Sequence, residues 1–91
     1  MKSLRLIISG RVQGVGYRDW IVAEAREHGV GGWVRNRGTD EVEALLSGDD
    51  EAVDAVLAAC DRGPLYARVA SIVATACEPA DEPILRRLPS V

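Results

Sequence analysis

GRVQGVGYR, residues 10–18, follows a short apolar run that begins at Leu4 and precedes a segment with helical spacing. A strand that enters a helix through a glycine-rich loop can turn several backbone N–H groups toward one point. The free donors and partial positive charge of the helix N-terminus add to this field. Arg18 supplies a guanidinium that matches phosphate oxygens. The segment therefore predicts a strand–loop–helix unit that binds a phosphate group; an ordinary turn with a solvated arginine is the alternative interpretation.

The spacing of the glycines distinguishes this loop from the commonest nucleotide-binding loops. Gly14 and Gly16 are followed by Tyr17 and Arg18, not by the Lys-Ser/Thr pair of a P-loop. The glycines also do not match Gly-x-Gly-x-x-Gly, the fingerprint of dinucleotide-binding folds. The sequence thus gives no specific support for a nucleotide ligand.

Hydrophobic periodicity and turn residues predict an alternation of strands and helices along the chain. The predicted elements are a strand over 4–12, a helix over 18–28, a hairpin of 33–37 and 41–46, a helix from about 49 to 62, a strand over 67–77 and a candidate short fifth strand over 84–88. The order β-α-β-β-α-β predicts an α+β, ferredoxin-like fold, in which two helices cover one face of an antiparallel sheet. We expect one domain over residues 1–91.

Composition excludes several classes of protein. Hydrophobic residues make up 47% of the 91 residues, a share typical of a globular domain. No apolar run approaches the ~18 residues that span a bilayer, and Arg5 interrupts the N-terminal apolar stretch, so we expect neither a membrane partner nor a secretory leader. The net charge of −3 and the low aromatic content argue against a nucleic-acid partner. We expect a cytoplasmic protein.

The titratable side chains outside the loop suggest neither metal nor thiol chemistry. Two cysteines are too few for a disulfide framework, and Cys60 continues a helical apolar series, which predicts a buried residue. The acidic residues of 49–51 follow a turn and are explained by the start of a helix, whose dipole favours negative charge. We therefore expect no metal site and no nucleophilic thiol.

A second motif, Gly32-Trp33-Val34-Arg35-Asn36, ends just before a predicted turn. By itself, an asparagine at this place is most simply a turn former. In combination with residues 10–18, however, the motif closely resembles the acylphosphatase family. The resemblance is collinear from about residue 4 to residue 75 and also includes Ala25, Val42-Glu43, Gly48 and Gly63-Pro64-x-x-Ala67-x-Val69.

The resemblance implies the hydrolysis of small acyl phosphates to a carboxylate and inorganic phosphate, without metal or cofactor. It places the family's catalytic arginine on Arg18 and its catalytic asparagine on Asn36. It places the phosphate-binding backbone on Gln13, Gly14, Val15, Gly16, Tyr17 and Arg18. The chemistry is plausible for these residue types, because an acyl phosphate has a good leaving group and needs mainly charge neutralisation and an oriented water. We expect a monomer.

Two positions depart from the family pattern. Gly38-Thr39-Asp40 replaces the usual Asp-Gly turn, which bears on the aim of Asn36, and His28 stands at a usually apolar position. We interpret His28 as a partly exposed packing residue. The alternative functions are a non-catalytic ferredoxin-like module that binds an anion or a protein, and a domain of a larger carbamoyl-phosphate-processing maturation protein. The joint presence of Arg18 and Asn36 favours catalysis.

Overall fold

A computed structural model describes all 91 residues and contains five strands and two helices. The elements are β1 (Lys2–Arg11), α1 (Tyr17–Glu27), β2 (Gly31–Arg37), β3 (Glu41–Gly48), α2 (Asp50–Cys60), β4 (Arg68–Ala76) and β5 (Arg86–Arg87). The strands form one sheet in the order β4-β1-β3-β2-β5. This arrangement confirms the predicted ferredoxin-like α+β fold.

The sheet is antiparallel as predicted except at its short fifth strand, whose direction the sequence left open and which makes the sheet mixed. The four long strands pair antiparallel, but β5 pairs parallel with β2, through Trp33 with Arg86 and Val34 with Arg87. The direction follows from the path of the chain. Because the loop after β4 turns the chain once before it reaches the far edge of the sheet, β5 runs opposite to β4 and therefore in the direction of β2.

The core lies between one face of the sheet and the two helices. Alternation along β1 directs Leu6 and Ile8 toward the helices, where both are fully buried. From the helices, Ile21 and Val53 fill the space above them. The same cluster of sixteen buried residues also includes Val12 and Leu85, which lie outside the long strands and helices. One connected core therefore fixes the loop after β1 and the segment before β5.

The opposite face of the sheet carries a buried carboxylate that alternation alone would leave exposed. Glu43 is only 3% exposed, because Arg5 and Arg35 lie over it on the two neighbouring strands. Its oxygens accept hydrogen bonds from Arg5 Nε at 2.7 Å and Arg35 Nε at 2.8 Å. Burial alone would raise the pKa of Glu43, but the hydrogen bonds and charges of the two guanidinium groups outweigh it and lower that pKa. Arg35 also lies 5.0 Å from the ring centre of Trp33.

The helix ends differ slightly from the sequence-based expectation. Helix α1 begins at Tyr17, one residue earlier than predicted, and its C-cap is His28. The acidic residues of the first turn of α2 are present as predicted, but Asp49 makes no side-chain hydrogen bond at the N-cap. Charge, and not a capping bond, is therefore the favourable interaction at that end.

Candidate active site

The loop between β1 and α1 exposes a run of unpaired backbone donors. Gly14 and Gly16 adopt φ values of +72° and +80°, in the left-handed region that favours glycine. No backbone N–H from Gln13 to Asp19 donates to a backbone carbonyl of the chain. The last three of these groups belong to the first turn of α1, so the positive end of the helix dipole adds to them. The loop is therefore a concentrated set of hydrogen-bond donors for an anion.

The side chain of Gln13 fixes this loop to the β2–β3 turn. Its Nε2 donates to the carbonyl oxygens of Gly38 at 3.0 Å and Glu41 at 2.9 Å, and lies 3.4 Å from that of Arg37. The sequence predicted only that the backbone of Gln13 binds phosphate. The side chain of Gln13 has a separate, structural role. Because Asn36 lies just before this turn, the contact ties the loop to the segment that carries the asparagine.

Tyr17 fixes the start of α1 to the end of α2. The buried phenol donates to the carbonyl of Cys60 at 2.6 Å, and burial raises the pKa of Tyr17 well above its usual value. A Cβ atom on Gly63 would approach the tyrosine ring to 2.7 Å, so the glycine leaves room for it. The carbonyl that accepts this hydrogen bond lies at the C-terminus of α2, where helix carbonyls lack intrahelical partners.

The predicted site residues surround a small cavity of about 140 Å³. Arg18 and Asn36 both line it, on α1 and β2 respectively. Gln13, Gly14, Gly16 and Tyr17 line it as well, whereas Val15 does not and instead packs against the core. The structure therefore brings six of the seven predicted residues to one cavity.

The two central side chains both have free hydrogen-bonding capacity. Arg18 takes part in none of the chain's ion pairs. The Oδ1 atom of Asn36 is buried and accepts no hydrogen bond from the chain, which is uncommon for a buried polar atom. A free guanidinium and a free carboxamide oxygen at one cavity are suited to a charged, hydrated ligand.

The altered β2–β3 turn leaves the strand pairing at Asn36 regular. Regular pairing continues through Asn36 with Val42 to Arg37 with Glu41, and Gly38 begins the turn with a φ of +63°. The departure from the Asp-Gly pattern is therefore accommodated after the strand has ended, without a shift in strand register.

Two residues of the site were not identified from the sequence. Arg87 lines the cavity, and its Nη1 donates to Oδ1 of Asp19, which also lines the cavity. They are 68 positions apart. The candidate strand over 84–88 was the only sequence signal near Arg87, and it did not reveal that β5 would pair with β2.

The C-terminal segment continues along β2 beyond β5. Leu88 N–H donates to the carbonyl of Val34 at 2.8 Å, and Val91 N–H donates to that of Asn36 at 3.0 Å. Gly38 N–H in turn donates to the carbonyl of Val91 at 3.0 Å. These bonds pair the outer edge of β2 on both sides of Asn36.

Other titratable groups lie apart from the cavity. His28 is exposed at the C-terminal end of α1, about 16 Å along the helix axis from the loop, and its Nδ1 lies 2.9 Å from the carbonyl of Glu24. Cys60 is fully buried, as predicted, and burial raises the pKa of its thiol to about 12. No group of three or more His, Cys, Asp or Glu side chains is placed to hold a metal ion.

A larger cleft of about 420 Å³ lies at the other end of β2. The charged side chains around it are those of Asp49, Asp81 and Glu82, which would repel a phosphate. No helix of the structure has the length and apolar character needed to cross a bilayer.

Three comparisons with known proteins agree with one another. The family model described as Acylphosphatase matches residues 4–83. A protein named acylphosphatase from Acidiphilium cryptum is 54% identical over 83 residues, which cover 91% of each chain. Another, from Rhodospirillum rubrum, is 47% identical over the full length of both chains. The crystal structure of acylphosphatase from Bacillus subtilis superposes with a TM-score of 0.91 at 31% identity, covering 97% of this chain and 99% of the other.

Proposed function

Because the chain belongs to the acylphosphatase family, we propose that it hydrolyses acyl phosphates in the cavity between the 13–18 loop and Asn36. The products are a carboxylate and inorganic phosphate. The observation that supports this site most is the run of unpaired N–H groups from Gln13 to Asp19, next to the unpaired Arg18. They form a set of donors matched to phosphoryl oxygens.

The phosphoryl group would be held by the loop and by Arg18. The backbone N–H groups donate to its non-bridging oxygens, and the guanidinium neutralises charge that spreads over them as the bond to the leaving group lengthens. Because these donors are fixed before the substrate arrives, little reorganisation is needed during the reaction.

Asn36 would orient the attacking water. A water that donates to the unpartnered Oδ1 satisfies that oxygen and is thereby held beside the phosphorus. Its oxygen forms the new bond to phosphorus while the bond from phosphorus to the acyl oxygen breaks, and the carboxylate leaves with the electron pair. The water proton passes to a phosphate oxygen or to the departing carboxylate. No side-chain base is required, because the carboxylate is a good leaving group.

We also propose that residues 1–91 act as a single domain, a monomer, without metal, cofactor or nucleic acid. The single connected core is the support for one domain. Both cysteines are free, in keeping with a reducing compartment such as the cytoplasm. The mass in solution and retention of activity after prolonged chelation test the oligomeric state and the metal independence.

A pair of related substrates tests the activity. Purified protein is incubated with benzoyl phosphate, and loss of its ultraviolet absorbance is followed in parallel with phosphate release from phenyl phosphate. Benzoyl phosphate should be hydrolysed, and inorganic phosphate should inhibit this hydrolysis. Phenyl phosphate should react far more slowly, because phenoxide is a poorer leaving group and the site provides no acid to protonate it.

Two results would argue against this function. Comparable rates for the ester and the acyl phosphate would indicate a general phosphomonoesterase. Phosphate binding without hydrolysis of either compound would favour the alternative, a non-catalytic ferredoxin-like module that binds an anion.

A further inference from the structure

The rim of the cavity carries a second guanidinium that the phosphate site does not explain. Arg87 and Asp19 form an ion pair beside Arg18, with side chains 43% and 73% exposed respectively. The pair therefore lies where the cavity meets solvent. Exposed ion pairs of this kind contribute little to stability, so a substitution at Arg87 should leave the fold intact.

The size of the cavity determines what reaches this rim. At about 140 Å³ it is well below the roughly 300–1,000 Å³ of sites that enclose drug-sized ligands. A phosphoryl group held by the loop and Arg18 occupies the inner part. The acyl portion of the substrate must then extend outward, past the rim residues.

We propose that Arg87 determines substrate specificity by binding a second anionic group, carried on the acyl portion of the substrate. This inference rests on the proposed function. The preferred substrates are then acyl phosphates whose acyl group bears a carboxylate or a phosphate.

The charges and donors at the rim fit such a group. A guanidinium has five N–H donors, and Asp19 accepts from only one nitrogen of Arg87. The remaining donors can meet another oxygen anion. Arg18 adds a positive charge that no carboxylate of the chain pairs with, so the side chains lining the cavity carry one more positive than negative charge. Asp19 orients the guanidinium but also competes with the substrate anion for it.

The neighbouring residue on β5 provides a matched control. Arg86 precedes Arg87, so alternation along the strand directs it to the other face of the sheet. It pairs with Glu82 at 3.0 Å and does not line the cavity. A change of charge at Arg86 alters the net charge of the protein equally without touching the rim.

The experiment compares substrates of equal shape and different charge. Rates are measured for 3- and 4-carboxybenzoyl phosphate and for the corresponding carboxamides, at low ionic strength. The readout is the ratio of kcat/KM for each carboxylate to kcat/KM for its carboxamide. Wild type, Arg87→Gln, Arg86→Gln and Asp19→Asn are compared, and each variant is checked by thermal unfolding.

Arg87→Gln should lower this ratio about three- to fivefold for at least one of the two carboxylates, the size expected of one exposed charge contact. Asp19→Asn should raise the ratio, because it removes the competing carboxylate. Arg86→Gln should leave it at the wild-type value. High salt should bring the wild-type ratio toward that of Arg87→Gln, because exposed charges are screened.

The inference is overturned if the ratio for both carboxylates is unchanged in Arg87→Gln. An unchanged ratio together with weaker inhibition by inorganic phosphate would place Arg87 on the phosphoryl group. If Arg87→Gln does not fold, Arg87→Met is used, and an unchanged ratio in that variant would equally contradict the inference. A wild type that hydrolyses none of these substrates would instead refute the proposed function, and the inference with it.

Discussion

Replacement of Asn36 by alanine should separate catalysis from phosphate binding. The Asn36 side chain lines the cavity, and its Oδ1 makes no hydrogen bond within the chain. The donors proposed to hold phosphate belong instead to the 13–18 loop and Arg18. Asn36→Ala should therefore leave phosphate bound but deprive the attacking water of its orienting partner.

The structure sets the expected magnitudes. Loss of a preorganised polar group at a reacting centre costs roughly 10²–10³ in rate, so kcat should fall at least ~10²-fold, or about 2.7 kcal/mol. The backbone carbonyl of Asn36 accepts from Val91 N–H, and this bond does not involve the side chain. Stability should therefore change by less than about 1 kcal/mol, which corresponds to a shift in Tm below about 8 °C.

The assay combines three measurements on the same preparation. They are kcat with benzoyl phosphate, the inhibition constant of inorganic phosphate, and Tm. Thr39→Ala, an exposed change in the adjacent turn, is the control and should match wild type in all three. The inhibition constant of Asn36→Ala should stay within about threefold of wild type. If phosphate binding and stability were lost together, and residual turnover followed the folded fraction, Asn36 would be structural and the reasoning refuted.

Three further predictions concern charge. Arg18→Lys should lower kcat/KM by roughly 10²–10³ while the protein remains folded, because lysine lacks the planar fork; retention of more than about a tenth of the activity would contradict the role of Arg18. The pH profile of kcat should be flat from about 5 to 8, and an inflection that disappears in His28→Ala would show that His28 belongs to the site. Glu43→Gln should destabilise the fold by about 1–3 kcal/mol at neutral pH, since it removes the anion between Arg5 and Arg35. Because the folded-state pKa of Glu43 is lowered, the difference in unfolding free energy between wild type and variant should have its full size above about pH 5 and should shrink as pH falls through that pKa. Chemical denaturation at several pH values measures this difference, and a difference that does not change with pH would contradict the reasoning.

The sequence predicted those parts of the fold that depend on local patterns. Alternating apolar residues of β1 and the helical spacing around Ile21 each depend on one element and its buried face. The loop of residues 10–18 was predictable for a similar reason, because glycines at a strand-to-helix junction constrain the backbone directly. Asn36 was predicted as a site residue only because the two motifs together resemble the acylphosphatase family, since an asparagine before a turn is ordinary by itself.

The features that the sequence did not reveal depend on contacts between distant segments. Parallel pairing of β5 with β2 brings Arg87 to Asp19, and neither residue lies in a recognisable motif. Burial of Glu43 requires two arginines from different strands, whose register is known only once the sheet is assembled. The hydrogen bonds of the Gln13 side chain likewise join the loop after β1 to the β2–β3 turn, which is distant in sequence.

The path of the solvent oxygen tests the central claim most directly. Benzoyl phosphate is hydrolysed by the wild-type protein in water enriched in ¹⁸O, and both products are analysed by mass spectrometry after subtraction of the uncatalysed reaction. A loop that holds the phosphoryl group and an Asn36 that orients water toward phosphorus require the label to appear in inorganic phosphate, with benzoate unlabelled. Label in benzoate would mean that water attacks the carbonyl carbon, and would contradict the proposed arrangement of the site.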